Sequence, residues 1–323
     1  MMPIGDGPRA EAPEIVEPLA YRTGSYLVYD YDPAKNQPNF RKGTDAKILR
    51  NQFRASGSHQ LDVPLLTKTL QDEVVAKQSP ARLHLVDLRE ENHAFFNWRA
   101  VSWFADRDWA NVWQLPAWIE EDEGRLIERA ASVPTTYVFS YREETDGRIT
   151  PTGYDGITVA SAASERTVAE QPGWLSCPVS YHRLPVADHC PPFTVQVAFL
   201  DLLKQIDLGK DWVHFHCHGG DGRTTTFLAL FDMVSWATLH GRLNFPSFDF
   251  FSQRQCDIFP HVSLRPDWNC NNTPKSRDWK YWLAVVRWWD LVLLRNYIAD
   301  GGLASGEPFS LPPDWDEIKV RQP

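Results

Sequence analysis

The chain has 323 residues and 42 acidic against 33 basic side chains, a net charge of −9 that excludes a nucleic-acid surface spread over the whole protein. Any anionic partner must therefore bind in a local basic pocket. No window approaches the roughly 18 uninterrupted apolar residues of a membrane span, and the length suits one large domain or two ordinary ones.

The amino terminus, MMPIGDGPRAEAPEIVEP, has acidic residues and prolines where a secretory signal has a basic start and an apolar run. The chain is therefore expected to be cytoplasmic or to have lost a signal. Residues 1–35 read as an extension. NFRKGTD and FRASGS then bring Arg41 and Arg54 ahead of the first clear strand, RLHLVDL at 82–88. That strand runs into REENHAFFN, where Arg89, Glu91 and His93 read equally as pocket residues or as a strand-end hydrogen-bond network.

From 103 to 174, short alternating runs and Asp-Gly turns predict an inserted small β-rich unit. The core is then 36–102 with 175–300. VSYHRLPV reads as a strand, ADHCPP as a loop, and Val195, Phe199, Leu202 and Ile206 recur at helical spacing. DWVHFH is again strand-like, CHGGDGR is a glycine-rich loop, and TTTFLALFDMVSWATLH is long and apolar enough for a buried helix. A right-handed crossover between parallel strands puts both loops at one carboxyl edge, so Asp188 and Cys217 face the same ligand. A last helix at about 278–299 carries Lys280 and Arg287 two turns apart on one side. A Pro- and Gly-rich tail, 301–323, follows it. The flanking Trp279, Trp282, Trp288 and Trp289 read most simply as core.

The five cysteines, Cys177, Cys190, Cys217, Cys256 and Cys270, are odd in number and contain no CxxC pair. No disulfide framework or zinc ribbon is expected, and at least one thiol is free.

Between a strand and a helix, the three glycines of CHGGDGR let the backbone curl so that its N–H groups form an anion-binding nest, to which the helix adds its positive end. Such a field can lower a thiol pKa from about 8.5 to roughly 3.5–7.5, which makes Cys217 a thiolate. Arg223 can clasp two oxygens of a phosphoryl group, and Asp188 can supply a proton to the leaving oxygen. A lone Cys is usually a small buried hydrophobe, but the glycine spacing and Arg223 argue otherwise. His214, His216 and His218 would share one face of a strand, yet no neighbouring carboxylate or second Cys completes a metal site. Asp188 near Pro191 can equally shape a turn, and Lys280 and Arg287 can be a solvated helix face.

His216-Cys217-x-x-Gly220-x-Gly222-Arg223-Thr224 resembles the signature loop of the cysteine-dependent protein tyrosine phosphatases. With LVDLREENHAFFN, ADHCPP, FRASGS and HFHCHGGDGRTTTF, most of 39–300 is similar to the bacterial protein tyrosine phosphatase-like inositol phosphatases, or phytases. The resemblance implies an α/β fold with a largely parallel central sheet flanked by helices and a small inserted β-rich partial barrel. It also implies a cysteinyl-phosphate intermediate, no metal or other cofactor, and stepwise hydrolysis of a small polyanion such as phytate, with secretion or a periplasmic location after signal removal. By motif position, Cys217 matches the nucleophile, Arg223 the phosphate clamp, Asp188 the general acid, and His216 and Thr224 the supporters of the thiolate. His218, Gly219, Gly220, Asp221, Gly222 and His189 would line the substrate. Lys280 and Arg287 match a basic pair, with Arg in place of Lys at the second position, and Arg41 and Arg54 sit in matched segments. Asp221 departs from the pattern: it must point away from a bound polyanion or weaken binding of some phosphates. The competing readings are a protein tyrosine, dual-specificity or phosphoinositide phosphatase, and a noncatalytic phosphate-binding module, against which the intact Cys217, Arg223 and Asp188 argue. Oligomeric state is not encoded in any of these features.

Overall fold

The structure is a computed structural model that describes residues 25–30, 39–45, 53–112, 114–192 and 195–305. The strands are β1 Tyr26–Tyr29, β2 Arg41–Lys42, β3 Ala55–His59, β4 Leu83–Arg89, β5 His93–Phe96, β6 Arg99–Phe104, β7 Thr136–Glu143, β8 Ile149–Ile157, β9 Ala162–Ala163, β10 Val179–Val186 and β11 Trp212–Cys217. The helices are α1 Val63–Leu70, α2 Ala76–Gln78, α3 Pro116–Ser132, α4 Glu165–Ala169, α5 Gln196–Leu203, α6 Gly222–His240, α7 Phe248–Ile258, α8 Trp279–Asp300 and α9 Gly302–Ser305.

One sheet has the order β10-β4-β11-β3-β2, and its first four strands run parallel. Every residue of β3, β4 and β11 is buried, as expected for parallel strands covered on both faces. Because the four strands run the same way, Cys217, Arg89, Val186 and His59 all end at one edge. The expected succession of strand, loop and helix is present as β10, α5, β11 and α6. The small residues of β3 let α6 approach closely: a Cβ on Gly57 would stand 2.4 Å from Thr224 Cγ2. Helix α6 is buried on nearly all sides, among Phe215, Phe199, Leu291 and Phe251.

The second sheet has the order β8-β7-β1-β6-β5-β9 and moves the expected boundaries. Tyr26–Tyr29 lies within the stretch read as an extension, yet it pairs antiparallel with Val101–Phe104, and β5 forms a hairpin with β6. Main-chain pairing thus draws residues 26–29 and 93–104 into the unit expected to begin at 103. That unit also carries the 17-residue helix α3, so it is not purely β. The rest of 1–35, and 306–323 of the tail, lie outside the described residues.

Two further expectations are corrected. Trp282 and Trp289 are 60% and 56% exposed, because the seven-residue spacing sets both opposite the inward face that buries Leu283, Leu291 and Leu294. Cys256, on α7, forms a disulfide with Cys270 in the loop before α8, which leaves Cys177, Cys190 and Cys217 free. Among the described residues no helix is long and apolar enough to cross a membrane.

Candidate active site

Cys217 closes β11 and Gly222 opens α6, so the intervening loop is forced to reverse within four residues. Gly220 makes that turn at φ +72, and a Cβ there would fall 2.4 Å from the His59 backbone nitrogen. The residue must be glycine on both counts. Cys217 is 2% exposed, and its Sγ accepts a hydrogen bond from Thr224 Oγ1 at 3.1 Å. The 19-residue helix α6 points its positive end at this loop.

Arg223 lies beneath the loop, fully buried. Its Nη1 and Nη2 donate to Glu91 at 2.7 and 3.1 Å, and Nη1 also to the Val186 carbonyl at 3.1 Å. Nε has no hydrogen-bond partner, although Asp188 Oδ1 stands 3.2 Å away as an ion pair. The other Asp188 oxygen is 3.0 Å from His189 Nε2. Burial pushes the Asp188 carboxyl upward, but His189 and then Arg223 outweigh it and hold the group well below the usual carboxylate range. Trp109 Nε1, in the segment that follows β6, donates to the Asp188 carbonyl at 2.9 Å and helps to fix the loop.

A buried carboxylate network supports these groups, and sequence reasoning recovered only part of it. Glu91 is shared by Arg223 and Arg89, and the Arg89 Nε donates to it at 2.7 Å while Arg89 Nη1 donates to Asp30 at 2.6 Å. The strand-end residues Arg89 and Glu91 therefore form a network that also touches the pocket. Asp108 Oδ2 is 3.5 Å from Arg223 Nη2 and 3.4 Å from His218 Nδ1, and Asp108 sits at φ +58 after Arg107 at φ +60. Burial and then Glu91 push its carboxyl well above the ordinary range. No pattern around FADRDW marked it; adjacent left-handed residues at a site are a structural signal only.

The three histidines do not act as one cluster. His214 bonds Ser56 at 2.8 Å and Ser58 at 3.1 Å, and burial with neighbouring His216 pushes it down to about 3. His216 is 3.1 Å from Glu165, and His218 lies between Asp108 and Asp30. The expectation that no carboxylate stands beside them is thus corrected, since carboxylates reach two of them from other elements. Donor atoms of Asp87, Glu165 and His216, and of Glu91, Asp108 and His218, lie within 4.8 Å of one another. In the second set Arg223 and Arg89 already supply the positive charge.

The distal basic residues divide. Arg41 is 3% exposed, donates to Thr225 Oγ1 at 2.8 Å and lies 4.5 Å over the Phe259 ring, beside the Cys217 loop. Burial lowers it to about 10 against the opposing pull of Asp221 and Cys217. Asp221 accepts from Asn39 Nδ2 at 3.2 Å, and the same amide donates to the Gly219 carbonyl at 2.9 Å. Arg287 is 7% exposed, its Nε and Nη1 lack hydrogen-bond partners, and Nη1 lies 3.2 Å from where a Cβ on Gly222 would stand. Lys280 instead turns to Glu143 at 3.3 Å. Arg54 is not at the site. It precedes β3 and donates to the carbonyls of Asp211, Gln78 and Lys210 at the opposite, amino edge of the sheet. Lys275, missed in the sequence, is pinned by the Ser263 and Arg265 carbonyls at 2.7 and 2.8 Å, and burial with Arg287 nearby lowers its ammonium to about 8.

Residues 86–235 match the model of the PTP-like phytase family, described by the substrate term inositol hexakisphosphate. Over 159 residues the chain is 26% identical to effector protein hopD2 of Pseudomonas syringae pv. tomato, a match covering 49% of this chain and 33% of that protein. Two Mitsuokella multacida structures superpose with a TM-score of 0.70 at 22% identity, over 92% of this chain and 49% of theirs. One is a tandemly repeated protein tyrosine phosphatase-like phytase; the other is a PTP-like myo-inositol phosphatase in complex with myo-inositol-(1,3,4,5)-tetrakisphosphate. This chain spans about half the length of both. A PTP-like phytase from Bdellovibrio bacteriovorus gives a TM-score of 0.62 at 28% identity, over 92% of this chain and 95% of that one.

Proposed function

Since the chain belongs to the protein tyrosine phosphatase-like phytase family, we propose that it hydrolyses phosphate monoesters of inositol polyphosphates, phytate among them, stepwise through a phosphocysteine on Cys217. The observation that carries this reading is the convergence at one sheet edge of Cys217, held by Thr224 in a glycine loop, with Arg223 and Asp188. The Cys217 thiolate attacks phosphorus in line, the P–O bond to inositol breaks, and Asp188 protonates the leaving oxygen. Water then attacks the phosphocysteine, with the Asp188 carboxylate taking its proton, and free phosphate leaves. Glu91 holds both terminal nitrogens of Arg223, so Nε is the atom left for the substrate. A bound phosphoryl group takes over Arg223 from Asp188, and its negative charge restores the proton that Asp188 lacks in the free enzyme.

Substrate choice rests on Arg287, because a buried guanidinium whose Nε and Nη1 lack partners is costly unless an anion completes it, with Arg41, held by Thr225 Oγ1 and the Asn39 carbonyl, beside the Cys217 loop. Arg287→Ala is expected to raise KM for phytate by about tenfold or more, the worth of one charge-assisted hydrogen bond. Lys280→Ala should change it less than about threefold, since Lys280 is partly exposed and already paired with Glu143. Steady-state kinetics with phytate and para-nitrophenyl phosphate check both variants; equal effects of the two substitutions would refute the division. The Cys256–Cys270 disulfide supports the oxidising, extracytoplasmic location that the resemblance implies.

A further inference from the structure

Glu165 opens α4, where the Ser164 hydroxyl accepts from the Thr167 N–H and sets the start of the helix. Its carboxylate is almost fully buried, with Oε2 hydrogen-bonded to His93 Nε2 at 3.3 Å and Oε1 in close contact with His216 Nε2 at 3.1 Å, outside hydrogen-bond geometry. His216 immediately precedes Cys217 on β11 of one sheet, and His93 lies on β5 of the other. One carboxylate therefore ties the second sheet to the strand end that carries the nucleophile.

The remaining charged groups around this link come from three other elements. Asp87 on β4 is 3.2 Å from His93 Nε2 and accepts from the Tyr181 hydroxyl at 2.8 Å. Arg183 on β10 bridges Asp87 at 3.5 Å and Glu123 on α3 at 2.8 Å, and Glu123 is 3.5 Å from His93 Nδ1. Burial pushes His93 down, but Asp87 and Glu123 outweigh it and raise it to about 10, so both ring nitrogens carry protons at neutral pH. Nδ1 donates to the Glu91 carbonyl at 3.0 Å and Nε2 faces the two carboxylates. Asp87, Glu165 and His216 are grouped closely enough to suggest a cation, but the protonated His93 ring already supplies positive charge within 3.3 Å of both carboxylates.

We propose that Glu165 is a positioning residue for the reaction: by holding two imidazoles at once it fixes His216, and with it the end of β11 from which the Cys217 loop departs. The proposal rests on reading Cys217 as the nucleophile. A carboxylate sets an oxygen against each ring, hydrogen-bonded to His93 Nε2 and in close contact with His216 Nε2; the Gln amide would set an N–H against one of them. A strand end released by even 1 Å misaims the sulfur and the loop N–H groups.

Glu165→Gln is expected to lower kcat by about 10²-fold for phytate and para-nitrophenyl phosphate alike, with KM within about twofold. Alkylation of Cys217 by iodoacetamide should slow, and its half-maximal rate should move to higher pH, because the loop N–H groups no longer converge on the sulfur. Glu123→Gln is the control: it weakens the same buried charge network at His93 without touching His216, and should leave kcat and alkylation as in the wild type. A folded Glu165→Gln protein with wild-type kcat and alkylation overturns the proposal, as does a Glu123→Gln variant with the same losses, which would mean only that the network stabilises the fold. Stoichiometric metal in the wild type that is absent from Glu165→Gln would make the cluster a metal site and also overturn it. Failure of the nucleophile reading is distinguishable, because Cys217→Ser would then stay active whatever Glu165→Gln does.

Discussion

Replacing Cys217 with Ser is expected to reduce phosphate release from phytate to the background of heat-inactivated protein while leaving phytate binding intact. In the proposed mechanism the thiolate is the attacking species, and a serine hydroxyl ionises far less readily than a thiol. Binding should survive because the groups proposed to receive phosphate are elsewhere: the loop N–H groups, the N-terminus of α6 and the Arg223 Nε. The proposed mechanism makes the sulfur anionic, so replacing it also removes a repulsion and the variant should bind at least as tightly. Turnover and isothermal titration calorimetry on one preparation check this. Retained turnover would refute the nucleophile, and loss of binding would mean that Cys217 chiefly shapes the loop.

The second large effect belongs to Asp188→Asn, for which a loss of about 10²–10⁴ in kcat with phytate is expected, the usual worth of a positioned acid. In the free protein His189 and Arg223 keep the carboxyl ionised. The catalytic proton must therefore be taken up in the substrate complex, once phosphate engages Arg223 and places negative charge beside Asp188. For that reason kcat with phytate should fall as pH rises toward neutrality and beyond, and the asparagine variant should lose this limb. Para-nitrophenyl phosphate, whose leaving group hardly needs a proton, should be slowed much less. An equal slowing of both substrates would show that Asp188 acts through its ion pair with Arg223 and not as an acid.

The parts of the site that were legible in the sequence are those in which local pattern and tertiary role coincide. VSYHRLPV and DWVHFH are continuous enough to read as strands, and CHGGDGR followed by an apolar run dictates strand, turn and helix whatever surrounds it. ASGSH is also a strand, but Gly and Ser have little intrinsic strand preference, and it forms because α6 needs small residues beneath it. Without that strand in view, Arg41 and Arg54 could not be told apart. Arg54 precedes β3 and so sits at the amino edge, whereas Arg41 pairs opposite Gly57 and is carried toward Thr225. Asp108 and Glu165 stand in the inserted region and Asp30 near the start of the chain, and pairings such as Tyr26 with Phe104 bring these segments to the Cys217 loop. No spacing in the sequence encodes those approaches. The disulfide was equally hidden, since an odd count of five thiols does not say which two meet.

Phosphate released over time from phytate and from a phosphotyrosine peptide at equal concentration, with Cys217→Ser as the blank, decides whether Cys217 serves inositol polyphosphate hydrolysis. Phytate should be the preferred substrate, with more than one phosphate released per molecule and no release by the variant. A higher kcat/KM for the peptide, or release from phytate that persists in Cys217→Ser, would contradict the proposed function.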